Sequence, residues 1–132
     1  MIGDAAIAAT EGDAVERVIL CSGKVYYELA EQRRRSGRND VAVVRLEQLY
    51  PFPETQLATE LALYRNAWVV VWAQEEALNQ GAWRHLEPEL RAIAHPVALQ
   101  YAGPAAAAST APGTPTGHAA WQAEMLRMAF EE

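Results

Sequence analysis

Apolar residues along this chain fall into two alternating rhythms. Residues 15–21 are apolar and β-rich, interrupted by Glu16-Arg17, and read as a first strand. Residues 24–36 place Val25 and Leu29 at i, i+4 spacing, joined by Tyr26 or Arg33, which is a helical stripe. Ser22-Gly23 is the intervening turn, with Ser22 a candidate helix cap, and Gly37 is the expected C-terminal glycine. Residues 41–46 form a near-continuous apolar run of the kind buried on both faces of a parallel sheet. Pro51-Phe52-Pro53 enforces extended backbone and Pro53 starts a helix over 54–64, with Leu57, Leu61 and Tyr64 on one stripe and Asn66 beyond its end. Residues 68–73 are a third strand. A third helix spans 81–94, with Leu86, Leu90 and Ile93 inward and Pro88 expected to kink or split it. Residues 97–101 are a fourth strand and 118–130 a last helix carrying Trp121, Met125 and Met128. Between these two, 103–117 is rich in Ala, Pro, Thr and Gly and reads as a surface strap. The order β-α-β-α-β-α-β-loop-α predicts an α/β fold with a mostly parallel sheet, helices on both faces and right-handed crossovers. Residues 1–14 are weakly patterned and read as a linker before one domain over 15–132, and Met1-Ile2-Gly3-Asp4 reads as a start placed inside a longer chain.

Composition narrows the functional classes. The 132 residues are 51% hydrophobic, enough for a real core. A net charge of −6 argues against nucleic acid as a main partner, because phosphate neutralisation needs clustered cations. The one basic cluster, Arg33-Arg34-Arg35 with Arg38, suits the solvated C-terminal end of a helix. No apolar run approaches membrane-spanning length. Cys21 is the single cysteine, so no internal disulfide can form; it ends an apolar strand and reads as a buried, inert thiol, consistent with a reducing cytoplasm.

Chemistry-bearing motifs are sparse. Ser22-Gly23-Lys24 is not a P-loop, because Val18 and Val25 stand where glycine and Ser/Thr are required. No GxGxxG follows any strand. His85, His95 and His118 are too far apart for a local metal motif, and His118 is expected to set the entry of the last helix. The richest run is Glu75-Glu76-Ala77-Leu78-Asn79-Gln80-Gly81-Ala82-Trp83, placed where the third strand hands over to a helix. In open α/β sheets that end of the strands is where ligands and partners are met. Two readings stand side by side: carboxylates complementing a helix N-terminus, or a polar loop facing an interface or an active-site mouth. Arg45 or Lys24, from neighbouring strand ends, is a candidate partner for one of the acids.

Three separated segments then carry a resemblance. Residues 21–29 (CSGKVYYEL), 40–53 (DVAVVRLEQLYPFP) and Gln74-Glu75-Glu76 through Trp83, followed in order by Tyr101-Ala102-Gly103 and His118, resemble the C-terminal domain of the 2-oxoglutarate dehydrogenase first component. The similarity covers residues 15 to 130. It implies a transketolase C-terminal-like three-layer α/β/α sandwich, its sheet mostly parallel with one antiparallel edge. It implies a parent enzyme that decarboxylates 2-oxoglutarate on thiamine diphosphate and Mg²⁺ and passes the succinyl group to a lipoyl group on the succinyltransferase component. In such enzymes the preceding domains hold the cofactor across a homodimer, so catalytic and metal-ligating residues are expected outside this chain. Glu75, Glu76, Asn79, Gln80 and Trp83 are then expected as an inter-domain or channel-mouth loop, Ser22, Gly23 and Lys24 as the neighbouring turn, and Arg45, Glu47 and Tyr50 close by. The chain departs from the family in having Pro104 where an Arg follows Tyr-Ala-Gly, and Ala77 where a Pro follows the paired acids; the latter implies a less rigid loop. The rival readings are a stand-alone α/β module that binds an acidic metabolite or nucleotide through Lys24 and Arg45, and a purely associative domain using Trp83 and Trp121 as an apolar patch.

Overall fold

The computed structural model describes residues 9–107 and 114–131. After a 3₁₀ turn (Ala9–Ala14), four strands alternate with helices: β1 Arg17–Cys21, α1 Val25–Ser36, β2 Val41–Arg45, α2 Glu54–Ala62, β3 Val69–Ala73, α3 Trp83–Ala94, β4 Ala98–Ala102 and α4 Pro115–Phe130. The strands lie in the order β2-β1-β3-β4, all parallel, with Val18 opposite both Ala42 and Val70, and Val70 opposite Leu99.

Side-chain parity divides the core between two faces, because successive strand residues point to opposite sides. Val18, Leu20, Val44, Val70 and Trp72 face one way and pack on Leu57 of α2 and Leu86 and Leu90 of α3. Ile19, Cys21, Val43, Val69 and Val71 face the other way and pack on Val25 and Leu29 of α1 and Met125 and Ala129 of α4. The result is the three-layer α/β/α sandwich expected from sequence. Among the described residues the sheet is wholly parallel, so the antiparallel edge implied by resemblance is not found there. Each consecutive strand pair is joined by a helical crossover, and that connection returns strands in parallel.

The layers also locate the point where the connections change direction. The helix after β1 lies on one face and the helix after β3 on the other, so the loops leaving these adjacent strands diverge at their carboxyl ends. This is the topological switch point of an open α/β sheet.

Several boundaries shift for local reasons. α1 starts at Val25 with Lys24 as its flanking residue, and no side-chain cap is made, so Ser22 does not cap it. Gly37 does close α1, in the left-handed conformation (φ 66°), its N–H bonded to Arg33 and Arg34 carbonyls. α2 stops at Ala62, ahead of Tyr64. α3 runs through Pro88 as one element rather than splitting. α4 begins earlier than expected, at Pro115, because the Thr114 hydroxyl accepts from the Gly117 N–H at 3.0 Å; His118 is already inside the helix and exposed. The 105–108 part of the strap is described only as far as Ala107.

Arg38 is not simply solvated. It is paired with Asp40 at 2.8 Å and donates to the Phe130 carbonyl at 3.1 Å. Arg17, 1% exposed at the start of β1, donates to the carbonyls of Ala129 and Glu131. Two guanidinium groups thus fasten the C-terminal end of α4, where the helix dipole favours cations.

Candidate functional site

The site is organised by Gln74, the residue directly after β3. Its backbone N–H extends the ladder to the Ala102 carbonyl at 3.0 Å. Parity with Val70 and Trp72 sends its side chain inward, and it is 3% exposed. A buried amide must be satisfied on both ends, and this one is. Oε1 accepts from Trp72 Nε1 at 2.9 Å and from the Trp83 N–H at 3.1 Å. Nε2 donates to the carbonyls of Glu76, Ala77 and Gln80 at 3.0, 2.9 and 2.8 Å. Trp83 is the first residue of α3, so Gln74 supplies the acceptor that caps this helix from across the loop.

That arrangement corrects the capping reading of Glu75 and Glu76. α3 has no acid in its first turn, and both carboxylates lie on the loop well before it. A neutral amide does the capping instead. Neither acid pairs with Arg45 or Lys24. Glu76 is exposed, while Glu75 is half-buried with Oε1 enclosed and without a hydrogen-bond partner.

The strap holds the loop from above. Asn79 exchanges two hydrogen bonds with Ala107, its Nδ2 donating to the carbonyl and its Oδ1 accepting from the N–H, each at 3.0 Å. Gln80 Nε2 donates to the same carbonyl at 3.1 Å. The Leu78 N–H donates to the Pro104 carbonyl at 3.0 Å. The Tyr101 hydroxyl lies 2.8 Å from the Pro104 carbonyl and 3.1 Å from that of Glu76. Burial pushes this phenol up to about 12, so it remains a donor at neutral pH. Its ring packs against Trp83, centroids 5.3 Å apart. Trp83 is 8% exposed, which removes it from any surface patch; Trp121 is only half-buried. Ala77, where the family pattern has Pro, is wholly buried, and Pro104 is buried with its carbonyl bonded as above. Gly81 closes the loop at φ 67°, and a Cβ there would lie 3.0 Å from Glu76 Cβ and 3.2 Å from Gln74 Nε2.

Of the other expected residues, Arg45 and Glu47 form a second group with Tyr26 and Tyr27, beyond the end of β2. Arg45 ends β2 and its guanidinium lies 5.0 Å from the Tyr26 ring centre and 5.5 Å from that of Tyr27. It donates to the Tyr27 hydroxyl at 3.2 Å and pairs with Glu47 at 3.3 Å. Gly23 and Lys24 are exposed and Ser22 half-buried. Tyr50 projects into solvent, 91% exposed. No hydrogen bond or ion pair among the described residues joins this group to the Glu75 loop. Cys21 lies beneath it, its Sγ 3.8 Å from the Val44 carbonyl, and burial pushes the thiol up to about 12.

Sequence reasoning missed Gln74, Tyr101, Arg17 and the Asn79–Ala107 pair. For Gln74 and Arg17 the signal was present: each is a polar side chain at a strand position whose parity points inward. For Asn79 it was absent, since nothing in the sequence pairs residues 79 and 107.

Among the described residues no group of three or more His, Cys, Asp and Glu side chains is placed to hold a metal ion. Nor is any helix there long and apolar enough to cross a membrane.

Comparison with known proteins gives the lineage. The family model for the 2-oxoglutarate dehydrogenase C-terminal region matches residues 1–130. The chain is 50% identical over 120 residues to the 2-oxoglutarate dehydrogenase E1 component of Azotobacter vinelandii, covering 88% of this chain and 13% of that protein. It is 47% identical over 117 residues to the E1 component of Haemophilus influenzae, covering 88% and 12%. Against that of Brucella anthropi it is 45% identical over 132 residues, covering 96% and 13%. It therefore spans only about an eighth of the length of these relatives. With its three-layer parallel α/β sandwich and a match over nearly all its length, this chain belongs to the 2-oxoglutarate dehydrogenase C-terminal family.

Proposed function

We propose that this chain is the C-terminal domain of a 2-oxoglutarate dehydrogenase decarboxylating component, and that its role there is to present a rigid loop to the rest of the enzyme. The parent carries out oxidative decarboxylation of 2-oxoglutarate in the citric acid cycle and transfers the succinyl group to lipoyl. Thiamine diphosphate would supply the electron sink for that decarboxylation, with Mg²⁺ neutralising its diphosphate. We assign the residues that hold both groups to the preceding domains, and the isolated domain is inactive. Residues 1–14 are the join to those domains. The parent is a cytoplasmic homodimer that meets a lipoyl-bearing succinyltransferase, and neither nucleic acid nor membrane is a partner.

The observation that carries this reading is the anchorage of the 75–83 loop by Gln74 at the carboxyl ends of the strands, through four hydrogen bonds to the loop and a fifth from Trp72 of β3. Fixed polar groups at that position are what an interface or channel mouth requires. Asn79, Gln80 and Trp83 hold the loop through hydrogen bonds and packing, and Glu75 and Glu76 are the carboxylates that the loop presents; none of the five transfers a proton. Ser22, Gly23, Lys24, Arg45, Glu47 and Tyr50 form the adjoining surface.

The test is turnover of 2-oxoglutarate with thiamine diphosphate and Mg²⁺, by this chain alone and by the full-length polypeptide that contains it. Silence from the chain and turnover by the parent support the reading. Turnover by the chain alone, or a parent that leaves 2-oxoglutarate untouched, refutes it. The rival of a stand-alone anion-binding module is weakened because Arg45 is already committed to Tyr27 and Glu47.

A further inference from the structure

The turn that carries Glu75 and Glu76 is gripped from two sides. Gln74 holds it from the core, and the strap holds it from the end of β4. Tyr101, the fourth residue of β4, stands where the two grips meet. Its hydroxyl has one proton to donate and faces two carbonyl oxygens, that of Pro104 in the strap at 2.8 Å and that of Glu76 in the turn at 3.1 Å. Gly103 leaves the room for it: a Cβ there would lie 2.5 Å from Tyr101 Oη and 2.8 Å from the Gln74 carbonyl oxygen. Neither carbonyl depends on the phenol for a partner. The Pro104 oxygen also accepts from the Leu78 N–H at 3.0 Å, and the Glu76 oxygen also accepts from Gln74 Nε2 at 3.0 Å. Deleting the hydroxyl therefore orphans no acceptor, which is the event that makes such deletions costly. The ring contact with Trp83, centroids 5.3 Å apart, is kept by phenylalanine. What the hydroxyl adds is a fixed distance between strap and turn.

We infer that Tyr101 is a positioning residue: its hydroxyl ties the 103–107 part of the strap to the Glu76 carbonyl and so sets the two carboxylates of the turn. The inference rests on the reading of the 75–83 loop as a surface that the parent enzyme uses. Tyr101 acts through Glu75 and Glu76 and touches no reacting group. With the hydroxyl in place, strap and turn move as one body. Without it they move separately while the domain stays folded. The loss falls on the acids, so it should vanish where the acids are already changed, as for any two residues that work as a unit.

Tyr101→Phe in the full-length parent tests the inference. Hydrogen–deuterium exchange read by mass spectrometry follows peptides covering 76–80 and 104–107. Both should exchange several-fold faster in the variant, while β3 and the thermal midpoint stay as in the unaltered parent. Turnover of 2-oxoglutarate should fall several-fold, with the same division between kcat and KM as in the parent carrying Glu75→Gln and Glu76→Gln. Adding Tyr101→Phe to that double variant should lower turnover little further. Unchanged exchange at 76–80 and 104–107 overturns the tie between strap and turn. Turnover equal to that of the unaltered parent, a different division between kcat and KM, or losses that multiply in the triple variant overturn the positioning role. So does faster exchange across the whole domain with a lowered thermal midpoint, which would make Tyr101 a general stabiliser. An unaltered parent that leaves 2-oxoglutarate untouched sinks the assigned reaction, and the exchange comparison still decides the tie.

Discussion

Gln74→Glu is a nearly isosteric change that should reverse the electrostatics of the loop. In the native domain Nε2 faces three carbonyl oxygens at 2.8 to 3.0 Å. A carboxylate keeps the two bonds accepted by Oε1 but turns the other end from a donor into an anion pressed on three acceptors. Losing the donor leaves buried carbonyls unsatisfied, at about 1–3 kcal/mol for such a group. Ionising a carboxyl at a site that is 3% exposed adds a desolvation penalty. Protonation relieves the strain, since a neutral carboxyl restores one donor. The folded-state pKa of the introduced carboxyl must therefore rise above its unfolded value of about 4.3. A raised folded pKa fixes the sign of the pH dependence. Stability is fully present below the unfolded pKa and falls by about 1.4 kcal/mol per pH unit until the folded pKa is passed. With a rise of about two units, the variant loses roughly 3 kcal/mol more at pH 8 than at pH 4. Gln74→Met removes donor and acceptor without a charge and should cost a similar amount at every pH. Urea unfolding followed by tryptophan fluorescence from pH 4 to 8 compares the two. Parallel pH profiles for the Glu and Met variants would refute the claim that the amide is locked against carbonyls.

Other consequences are simpler to check. Gly81→Ala should destabilise the domain by about 1–3 kcal/mol, because it combines a positive φ with a Cβ 3.0 Å from Glu76; a thermal melt within error of wild type would count against it. Asp40→Asn should weaken the hold on α4 by about 1 kcal/mol near neutral pH. The Arg38 hydrogen bond holds the Asp40 carboxyl below its usual range, so that contribution exists above the unfolded pKa and disappears as pH falls through the folded one. Comparing wild type with D40N at pH 7 and pH 3 reads the difference. Cys21, with its thiol pushed up to about 12, should react with a disulfide reagent at pH 8 only at the rate of unfolding, which stopped-flow absorbance with and without urea measures.

Much of the architecture was legible because it is written in periodicity. The uninterrupted apolar runs at β2 and β3 admit only strands buried on both faces, and Gly37 marks a helix end that only a left-handed residue makes well. The site was legible in location but not in wiring. The acids at 75 and 76 attracted attention by charge, yet the side chain that organises the loop is the neutral one before them. Parity with Trp72 was the overlooked signal, because an inward amide demands partners. The split between the Glu75 loop and the Arg45 group was not legible, since strand order decides it: β2 lies beyond β1 from β3. The strap contact at Ala107 carries no side-chain signature at all, being a backbone pair read by Asn79.

The central claim is that this domain contributes a positioned loop to an enzyme whose reacting groups lie elsewhere. The most direct measurement is steady-state turnover of 2-oxoglutarate by the full-length parent carrying Glu75→Gln and Glu76→Gln together, with its fold checked by circular dichroism. A positioned loop predicts a folded protein with clearly reduced turnover. Turnover equal to that of the unaltered parent would contradict it.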